Sequence, residues 1–374
     1  MWRLGPKNKG SHKLGAWLFR AGGWVGAGLG ALMAARLGPC AETAAPSRPQ
    51  PARATASTES PPASHDQSTP RTTVIVVVGA PGEEPFGQSF RAWAQRWQQA
   101  CDQAQAQFEA IGLEPGLGTN DRARLEARLA QEPGDGPEPL WLVLLGHGTF
   151  DGTEAKFNLR GPDLSATDLA QWLDRFRRPV VVINASACSA PFLVKLSRPG
   201  RVIITATRSG TEQNFARFGQ FISTAIMDPQ ADLDKDGQVS LLEAYLTAAA
   251  GVAEFYESEG RIATEHPLLD DNGDGLGTPP TFFRGVRAIK KPREDAAPDG
   301  LRAHQMHLIP SPEERRLPAA VRARRDELEL ALNRLREAKT RMTEPEYYAA
   351  LETLLLRLAE LYETHSAPSA GSQP

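Results

Sequence analysis

Four short apolar runs recur along the middle of the chain, and amphipathic segments separate them. The runs are TTVIVVVG from Thr72, LWLVLL at 140–145, VVVIN at 180–184 and RVIITA at 201–206. Continuous β-branched and aliphatic runs of this length are typical of strands that are covered on both faces. Strands that alternate with helices predict an α/β domain with a mainly parallel sheet.

The segments between the runs carry apolar residues at helical spacing. The first apolar face consists of Phe90, Trp93, Ala94, Trp97, Ala100 and Cys101. We expect Cys101 to be an inert core residue of this aromatic face. A second helix is predicted at about 121–131. A third is predicted between Ser165 and Pro179, because Asp168 follows Ser165 at the spacing of a capping box.

The sequence pattern of residues 291–374 predicts a linker followed by a helical hairpin. One predicted face carries Val321, Leu328, Leu332 and Leu335, and the other carries Leu351, Leu355, Leu358 and Tyr362. The TEPE stretch at 343–346 supplies a cap, an early proline and a glutamate for the start of the second helix. The hairpin is expected either to pack on the α/β body or to mediate self-association.

The N-terminal residues have the character of an export segment. Basic residues precede a charge-free stretch from Ala21 to Ala35, which predicts a signal peptide or a membrane anchor within residues 1–40. The stretch is shorter than the roughly 20 residues that span a bilayer, and no clear cleavage motif follows it, so both interpretations stand. The LGPC stretch ending at Cys40 loosely resembles a lipoprotein signal, in which that cysteine would be lipidated.

Residues 41–71 are rich in Pro, Ala, Ser and Thr and hold almost no large apolar side chain. Such a segment buries too little surface to offset its ordering entropy, which predicts a disordered spacer. We therefore expect an exported protein, periplasmic, extracellular or membrane-tethered, that meets a membrane only through its N-terminal segment.

Charge and cysteine content exclude several classes of function. The 42 basic and 45 acidic residues give a net charge of −3, so no broad basic field is present and nucleic acid is not an expected partner. Cys40, Cys101 and Cys188 lie far apart, which predicts neither a disulfide framework nor a zinc knuckle. A chain of 374 residues leaves room for one large core and a smaller module.

Two polar stretches directly follow predicted strands, at 146–148 and at 185–189, and they contain His147 and Cys188. Ligand sites of open parallel sheets form at the carboxyl ends of the strands. An imidazole there can take the proton of a thiol and later deliver it to a leaving amine. Gly148 has no side chain, so its backbone N–H can approach a developing oxyanion. If the two strands are neighbours, the sequence predicts a Cys-His pair.

The stretches LLGHGTFDG and VVVINASACSA resemble the His-Gly and Ala-Cys blocks of legumain-type and caspase-type cysteine peptidases, over about 72–225. The caspase signature Gln-Ala-Cys-x-Gly is absent, so the resemblance is nearer to legumains and their bacterial relatives. It implies a caspase-like three-layer αβα sandwich over 72–290 and a peptide or protein substrate. It also implies His147 as general acid/base, Cys188 as nucleophile, and the N–H groups of Gly148 and Cys188 as oxyanion donors. Legumains usually have an acidic residue in the place of Ser186, so specificity is not implied.

The loop after the fourth apolar run should lie on the same edge of the sheet. By analogy with the same families, Thr207, Arg208, Ser209 and Glu212 are predicted to line the pocket for the substrate side chain before the scissile bond. Arg208 and Glu212 would favour opposite charges, so the preference stays undecided. The alternative for each charged residue is a solvated loop with the charge pointing outward.

The segment 232–243, DLDKDGQVSLLE, matches the twelve-residue EF-hand template at its diagnostic positions. The predicted calcium ligands are Asp232, Asp234, Asp236, the Gln238 carbonyl, Ser240 directly or through water, and Glu243 in bidentate fashion. Bound Ca²⁺ would have a structural or regulatory role. A second run, DDNGDG at 270–275, has Thr281 at its twelfth position, and two prolines preclude a normal exit helix. A weaker calcium loop and a structural turn are equal alternatives there.

Together these features predict a calcium-stabilised cysteine endopeptidase that hydrolyses peptide bonds through a Cys-His dyad. A transpeptidase side activity is compatible, because an amine can resolve an acyl-enzyme as well as water can. The alternative is a catalytically inactive calcium-binding scaffold or binding module.

Overall fold

The computed structural model describes residues 71–114 and 120–365. The predicted export segment with Cys40, and the spacer up to residue 70, lie outside the described residues, and those expectations stay predictions. Within the described part, the helices are too short or too polar for any of them to cross a bilayer.

The strands of the described residues are β1 (Thr73–Val78), β2 (Gln107–Ile111), β3 (Leu140–Leu145), β4 (Gly148–Phe150), β5 (Ala155–Phe157), β6 (Leu164–Ser165), β7 (Val180–Asn184), β8 (Arg201–Thr205), β9 (Leu268–Asp270), β10 (Phe283–Arg284) and β11 (Arg287–Ala288). The main sheet has the order β2-β1-β3-β7-β8-β9. All its neighbouring pairs are parallel except β8 and β9. Strands β4 to β6 form a separate antiparallel sheet, and β10 pairs with β11.

The α-helices of the same residues are α1 (Glu84–Ala104), α2 (Asp121–Gln131), α3 (Ala166–Leu173), α4 (Ala190–Leu196), α5 (Phe218–Ala225), α6 (Leu241–Ser258), α7 (Leu301–His304), α8 (Pro312–Arg316), α9 (Ala319–Ala338) and α10 (Glu344–His365). Short 3₁₀ turns lie at Pro229–Ala231, Pro280–Phe282 and Lys339–Arg341. Helix α3 begins as predicted, with the Ser165 side chain accepting the Asp168 N–H.

The sheet has helices on both faces, because alternate side chains of its strands point to opposite layers. Val74 and Val76 of β1 pack on the layer that contains the aromatic face of α1 and the helices α5 and α6. Ile75 and Val77 point the other way, onto α2, α3 and α4. Every residue of β1, β3, β7 and β8 is buried, which explains why these strands read as continuous apolar runs. Cys101 belongs to the first layer, as predicted.

Two parts of the sheet structure differ from the sequence prediction. Edge strand β2 was not predicted, because its sequence QFEAI is half polar and only Ile111 is buried. The segment between β3 and α3 has no strand in the sequence prediction, and it holds the antiparallel strands β4 to β6. Each of those strands is only two or three residues long, which is too short to show an alternating pattern.

The C-terminal helices α9 and α10 pack against each other as the predicted hairpin. Arg325 of α9 forms ion pairs with Glu314 of α8, and the Gln305 side chain donates to the Asp326 carbonyl, so the hairpin is tied to the preceding helices. The predicted apolar face of α10 is partly wrong, because Leu355 is 48% exposed.

Candidate active site

The histidine and cysteine loops lie together at one edge of the sheet. Strands β3 and β7 are parallel neighbours, with Leu144 opposite Asn184, so both chains leave the sheet side by side. The backbone of Gly148 lies directly against the cysteine loop: a Cβ placed there would be 2.2 Å from the Ala187 carbonyl oxygen. The structure therefore brings the residue after His147 into contact with the residue before Cys188.

The imidazole of His147 is held by a carbonyl and by aromatic rings. Its Nε2 lies 3.1 Å from the carbonyl oxygen of Pro81. A carbonyl can only accept a hydrogen bond, so Nε2 carries the proton and Nδ1 is left with a lone pair. The rings of Phe86, Phe90 and Phe215 surround the imidazole at centroid distances of 4.9, 5.2 and 5.8 Å. This arrangement fixes the tautomer that can accept a proton from a thiol through Nδ1.

Cys188 is buried, with 1% of its surface exposed, and burial raises the pKa of its thiol. The sulfur is therefore a neutral thiol at neutral pH, and its deprotonation depends on a base. Among the described residues, no hydrogen bond joins the thiol to the imidazole of His147. The backbone of Cys188 is in the left-handed region, with φ 55°, and its N–H donates to the Glu212 carbonyl oxygen at 2.9 Å.

A buried hydrogen-bond network shapes the rest of the cysteine loop. The N–H and hydroxyl groups of Ser186 both donate to the side-chain oxygen of Asn184, at 3.1 and 2.7 Å. Both residues are fully buried. The Asn184 amide nitrogen has no partner within the part of the chain that the structure describes. Ser186 thus positions the loop and lies away from solvent.

The loop at 207–214 lies beside the cysteine, but its four predicted substrate-binding residues differ in position. Thr207 is fully buried, and its hydroxyl lies 3.1 Å from the Ser189 hydroxyl and accepts the Ala190 N–H at 3.1 Å. It joins the two loops and does not face a substrate in this conformation. The Ser209 hydroxyl lies 2.9 Å from that of Thr211, at the surface.

Arg208 and Glu212 form an ion pair with each other rather than two separate charges. The Glu212 carboxylate accepts the Arg208 N–H at 3.0 Å and lies 3.3 Å from its Nε. It also accepts from Nδ1 of His266 at 2.6 Å. The Arg208 side chain is 62% exposed, whereas that of Glu212 is 12% exposed. The charge that faces solvent next to the cysteine loop is therefore that of Arg208.

Several residues of this site were not predicted from the sequence. Pro81 belongs to the turn before α1, and Phe86 follows it at the start of the same helix. Phe215 and His266 come from two later segments of the chain. Only the aromatic periodicity of α1 gave a local signal, while the contribution of Pro81 comes from its carbonyl, which any residue type would supply.

The predicted calcium loop at 232–243 places its carboxylates around one centre. Oxygens of Asp232, Asp234 and Asp236 lie within 4.8 Å of one another. The Asp232 carboxylate accepts the N–H groups of Lys235 and Gly237, both of which have positive φ angles. Carboxylate oxygens converging on one point in a tight loop suit Ca²⁺, which binds through six to eight oxygen atoms. These residues fit the ion.

The remaining predicted calcium ligands lie next to that centre. The Glu243 carboxylate accepts the N–H and hydroxyl of Ser240 at 2.8 Å each, which completes the cap of α6. Ligand atoms of Glu243, Asp234 and His304 also lie within 4.8 Å of one another. Nε2 of His304 lies 2.9 Å from the Asp234 carboxylate. The Gln238 side chain accepts from the Ser311 N–H at 3.0 Å and donates to the Asp236 carboxylate at 3.2 Å.

The second acidic run, at 270–275, has the same internal hydrogen bonds as the calcium loop. Asp270 accepts the N–H groups of Gly273 and Gly275 at 2.9 Å each, as Asp232 does at the equivalent positions. Both glycines have positive φ angles. The two loops therefore share one backbone conformation over their first six residues.

Asp299 supplies the carboxylate that this second run lacks at its twelfth position. It accepts the N–H groups of Asp271 and Asn272 at 3.0 and 3.3 Å, and the Thr278 hydroxyl. Glu243 accepts from the second, third and ninth positions of its own loop in the same way. The twelve-residue template could not reveal this carboxylate, because Asp299 lies beyond its window.

No protein-family model matches this chain, and no curated protein matches it by sequence. Similar solved structures include caspase-1 from Spodoptera frugiperda, at 9% identity and a TM-score of 0.36 over 54% of this chain and 86% of that one. The Drosophila initiator caspase Dronc has 13% identity and a TM-score of 0.37, over 54% of this chain and 80% of its own. A Geobacter sulfurreducens protein has 12% identity and a TM-score of 0.34, over 53% of this chain and 92% of its own.

At these TM-scores the likeness carries no information on activity. The fold class follows from the chain itself, since a mainly parallel sheet with the order β2-β1-β3-β7-β8-β9 has helices on both faces. The helix layers on both faces of the sheet and the C-terminal helices confirm the predicted three-layer α/β architecture. The finer resemblance to legumains has no match among known families and stays a prediction.

Proposed function

We propose that the protein is a cysteine endopeptidase in which Cys188 is the nucleophile and His147 is the general base and acid. The observation that carries this proposal is the contact of Gly148 with the Ala187 carbonyl oxygen, which joins the two loops. The hydrogen bond from His147 to Pro81 supports it, because it leaves Nδ1 free to take a proton. The substrate class is a peptide or protein.

The reaction would proceed in two steps. Nδ1 of His147 takes the Cys188 proton while the sulfur attacks the carbonyl carbon of the scissile bond. The C–N bond then breaks, the imidazolium gives its proton to the leaving amine, and a thioester remains on the sulfur. Water, deprotonated by the imidazole, attacks the thioester and releases a carboxylic acid and the free thiol. An amine in place of the water would form a new peptide bond.

Base catalysis by His147 is required because the raised pKa of Cys188 leaves little thiolate at neutral pH. The backbone N–H of Gly148 is the first candidate donor to the oxyanion of the tetrahedral intermediate. The N–H of Cys188, the second donor implied by the family resemblance, is bonded to Glu212 in this conformation.

The test compares four proteins on one peptide library, with products identified by mass spectrometry. Cys188→Ala and His147→Ala should both abolish cleavage. The matched control is Cys101→Ala, which removes a buried thiol from the core on the α1 side of the sheet. It should keep the activity of the wild type. Equal cleavage by the wild type and Cys188→Ala would remove the thiol from the mechanism.

The alternative, an inactive calcium-binding scaffold, is favoured by one observation: Cys188 is buried as a neutral thiol with its N–H already bonded. A scaffold predicts that an activity-based electrophile carrying a peptide labels Cys188 no faster than a small alkylating agent of equal intrinsic reactivity. A peptidase predicts a faster reaction, and one that is lost in His147→Ala.

We also propose that Ca²⁺ binds at 232–243 and stabilises the start of α6. Its ligands would be Asp232, Asp234, Asp236, the Gln238 carbonyl, Ser240 and Glu243, and the ion would supply positive charge to clustered carboxylates. Because the ion binds the folded state, Tm should rise with millimolar Ca²⁺ and fall with a chelator. Asp232→Asn should remove this shift, and Asp102→Asn, a change on the surface of α1, should not. An unchanged Tm in the wild type would end the proposal.

Calorimetric titration then gives the number of ions. One ion per chain, lost in Asp232→Asn, assigns it to the first loop. Two ions per chain would assign the second to the run at 270–275, and Asp299→Asn should then remove only that one.

The export of the protein is a further proposal and rests on the charge-free stretch from Ala21 to Ala35. A charge within that stretch would oppose insertion into a membrane. The full chain should fractionate outside the cytoplasm, and Leu29→Lys should retain it inside. Cytoplasmic recovery of both proteins would refute export.

A further inference from the structure

The backbone of the proposed nucleophile is engaged by the protein itself. The N–H of Cys188 donates to the carbonyl oxygen of Glu212 at 2.9 Å. An oxyanion is recognised by donors aimed at the position where its charge develops, and a carbonyl oxygen is the neutral analogue of that charge. The Glu212 carbonyl thus occupies the hydrogen-bonding position next to the sulfur that a substrate carbonyl would need.

The side chain of Glu212 holds its carbonyl in this position. Its carboxylate accepts the Arg208 N–H at 3.0 Å and lies 3.3 Å from the Arg208 Nε. Nδ1 of His266 donates to the same carboxylate at 2.6 Å. His266 lies two residues before β9, so this bond links the loop to the edge strand of the sheet. The carboxylate is mostly buried, which makes these bonds stronger than at an open surface.

Besides Glu212, the loop is fixed at two points, Thr207 and Gly210. Thr207 is fully buried and bonded to Ser189, and Gly210 lies against the ring of Phe150, where a Cβ would be 2.5 Å from the nearest ring carbon. Thr211, Gln213 and Asn214 are exposed. Once the Glu212 carboxylate is released, its carbonyl can turn away without exposing any of the apolar core.

We propose that Glu212 is an autoinhibitory residue: its carbonyl occupies the Cys188 N–H, and its hydrogen bond with His266 and its ion pair with Arg208 hold the loop at 207–214 in this closed position. Opening of the loop frees the N–H for the substrate oxyanion. This proposal rests on the proposed peptidase function. It explains why a site with a correctly oriented histidine also has an occupied backbone donor.

The expected change in rate follows from the loss of the Cys188 N–H as an oxyanion donor. Loss of one oxyanion donor typically lowers kcat by about 10²–10³-fold, so chains in the closed position contribute little turnover. A partly exposed polar contact shifts an equilibrium by up to about fivefold. Removing the His266 contact should therefore raise the open population, and kcat/KM with it, by up to about fivefold as long as the closed state predominates.

The experiment uses His266→Ala and Glu212→Gln. Both substitutions weaken the contact between the Glu212 side chain and His266 and leave the Glu212 backbone carbonyl in the chain. The control is Arg324→Ala, which breaks an exposed ion pair with Glu327 on α9. Two quantities are measured on the full chain: kcat/KM for a peptide that the wild type cleaves, and hydrogen–deuterium exchange of the segment 186–190, which contains the Cys188 N–H. Faster exchange together with a higher kcat/KM in both site variants, with Arg324→Ala unchanged, is the expected result.

The other outcomes contradict autoinhibition. Unchanged exchange in both variants would mean that the contacts of the Glu212 carboxylate do not hold the loop. Faster exchange with an equal or lower kcat/KM would make the contact a purely structural one. If the wild type and both variants cleave no peptide while exchange still responds, the peptidase proposal has failed, and autoinhibition fails with it for a different and distinguishable reason.

Discussion

Gly148→Ala is the sharpest test of the contact between the two loops. The new Cβ would lie 2.2 Å from the Ala187 carbonyl oxygen and 2.8 Å from the Ser186 hydroxyl. Close carbon–oxygen contacts in proteins are about 3.3 Å, so the histidine and cysteine loops would have to separate by about 1 Å. The cysteine loop cannot easily yield, because Ser186 is bonded to Asn184 and Cys188 to Glu212.

The expected result is a loss of activity that exceeds the loss of stability. A displacement of about 1 Å between reacting groups can lower the rate by about 10²-fold, and we expect kcat/KM to fall by that order. Overpacking of a buried contact typically costs about 1–3 kcal/mol, so Tm should fall by several degrees while the protein still folds.

The assay measures kcat/KM on a cleaved peptide and Tm by thermal unfolding, at a temperature where all variants are folded. The matched control is Gly260→Ala, at a glycine with φ 62° and no heavy atom within 4 Å of the added Cβ. It carries the backbone cost of a left-handed alanine, about 1 kcal/mol, without touching the site. Its kcat/KM should equal that of the wild type. A folded Gly148→Ala protein with undiminished kcat/KM would show that the loop contact does not organise catalysis.

Three further predictions follow from burial. Because burial raises the pKa of Cys188, its labelling by iodoacetamide should keep accelerating from about pH 7 to 9, and a plateau below about pH 8 would reveal a preformed thiolate. Burial raises the pKa of Cys101 to about 12, so the folded state keeps a proton that the unfolded chain releases above about pH 8.5. The free energy of unfolding should therefore fall by about 2 kcal/mol between pH 8 and 10 in urea titrations, and less in Cys101→Ala. Thr207→Val should lower the free energy of unfolding by about 1–3 kcal/mol without changing which peptides are cleaved. Altered peptide selectivity would show that Thr207 contacts the substrate.

The main strands could be predicted because their burial leaves a local signature. In β1, β3, β7 and β8 the interior side chains lie in one of two apolar layers, so those positions are apolar and polar residues occur only at the strand ends. Strand β2 lies at the edge and keeps polar residues. The short strands β4 to β6 depend on pairing across a turn rather than on their own composition.

The positions of His147 and Cys188 could be predicted for a related reason. Each follows a recognisable strand, and the parallel order of the sheet brings strand ends to one edge. Their supporting residues follow no such rule. Pro81, Phe215 and His266 come from segments that topology alone brings to the site, and Asp299 completes the second acidic loop from beyond its own motif. Contacts of this kind depend on the folded backbone and leave no pattern within one stretch of sequence.

Hydrogen bonds of Thr207 and Glu212 join the loop at 207–214 to the cysteine loop, and under the proposed function both contacts would hinder turnover. The Thr207 hydroxyl is hydrogen-bonded to the cysteine loop, and the Glu212 carbonyl accepts the Cys188 N–H. Burial of Cys188 raises the pKa of its thiol, and the Glu212 carbonyl occupies the N–H that the proposed mechanism needs as an oxyanion donor. One movement of the exposed part of the loop would reverse both effects, since solvent and substrate would reach the sulfur as the N–H is released. Reactivity of Cys188 and exchange of its N–H should therefore change together across loop variants, and independent variation would separate the two causes.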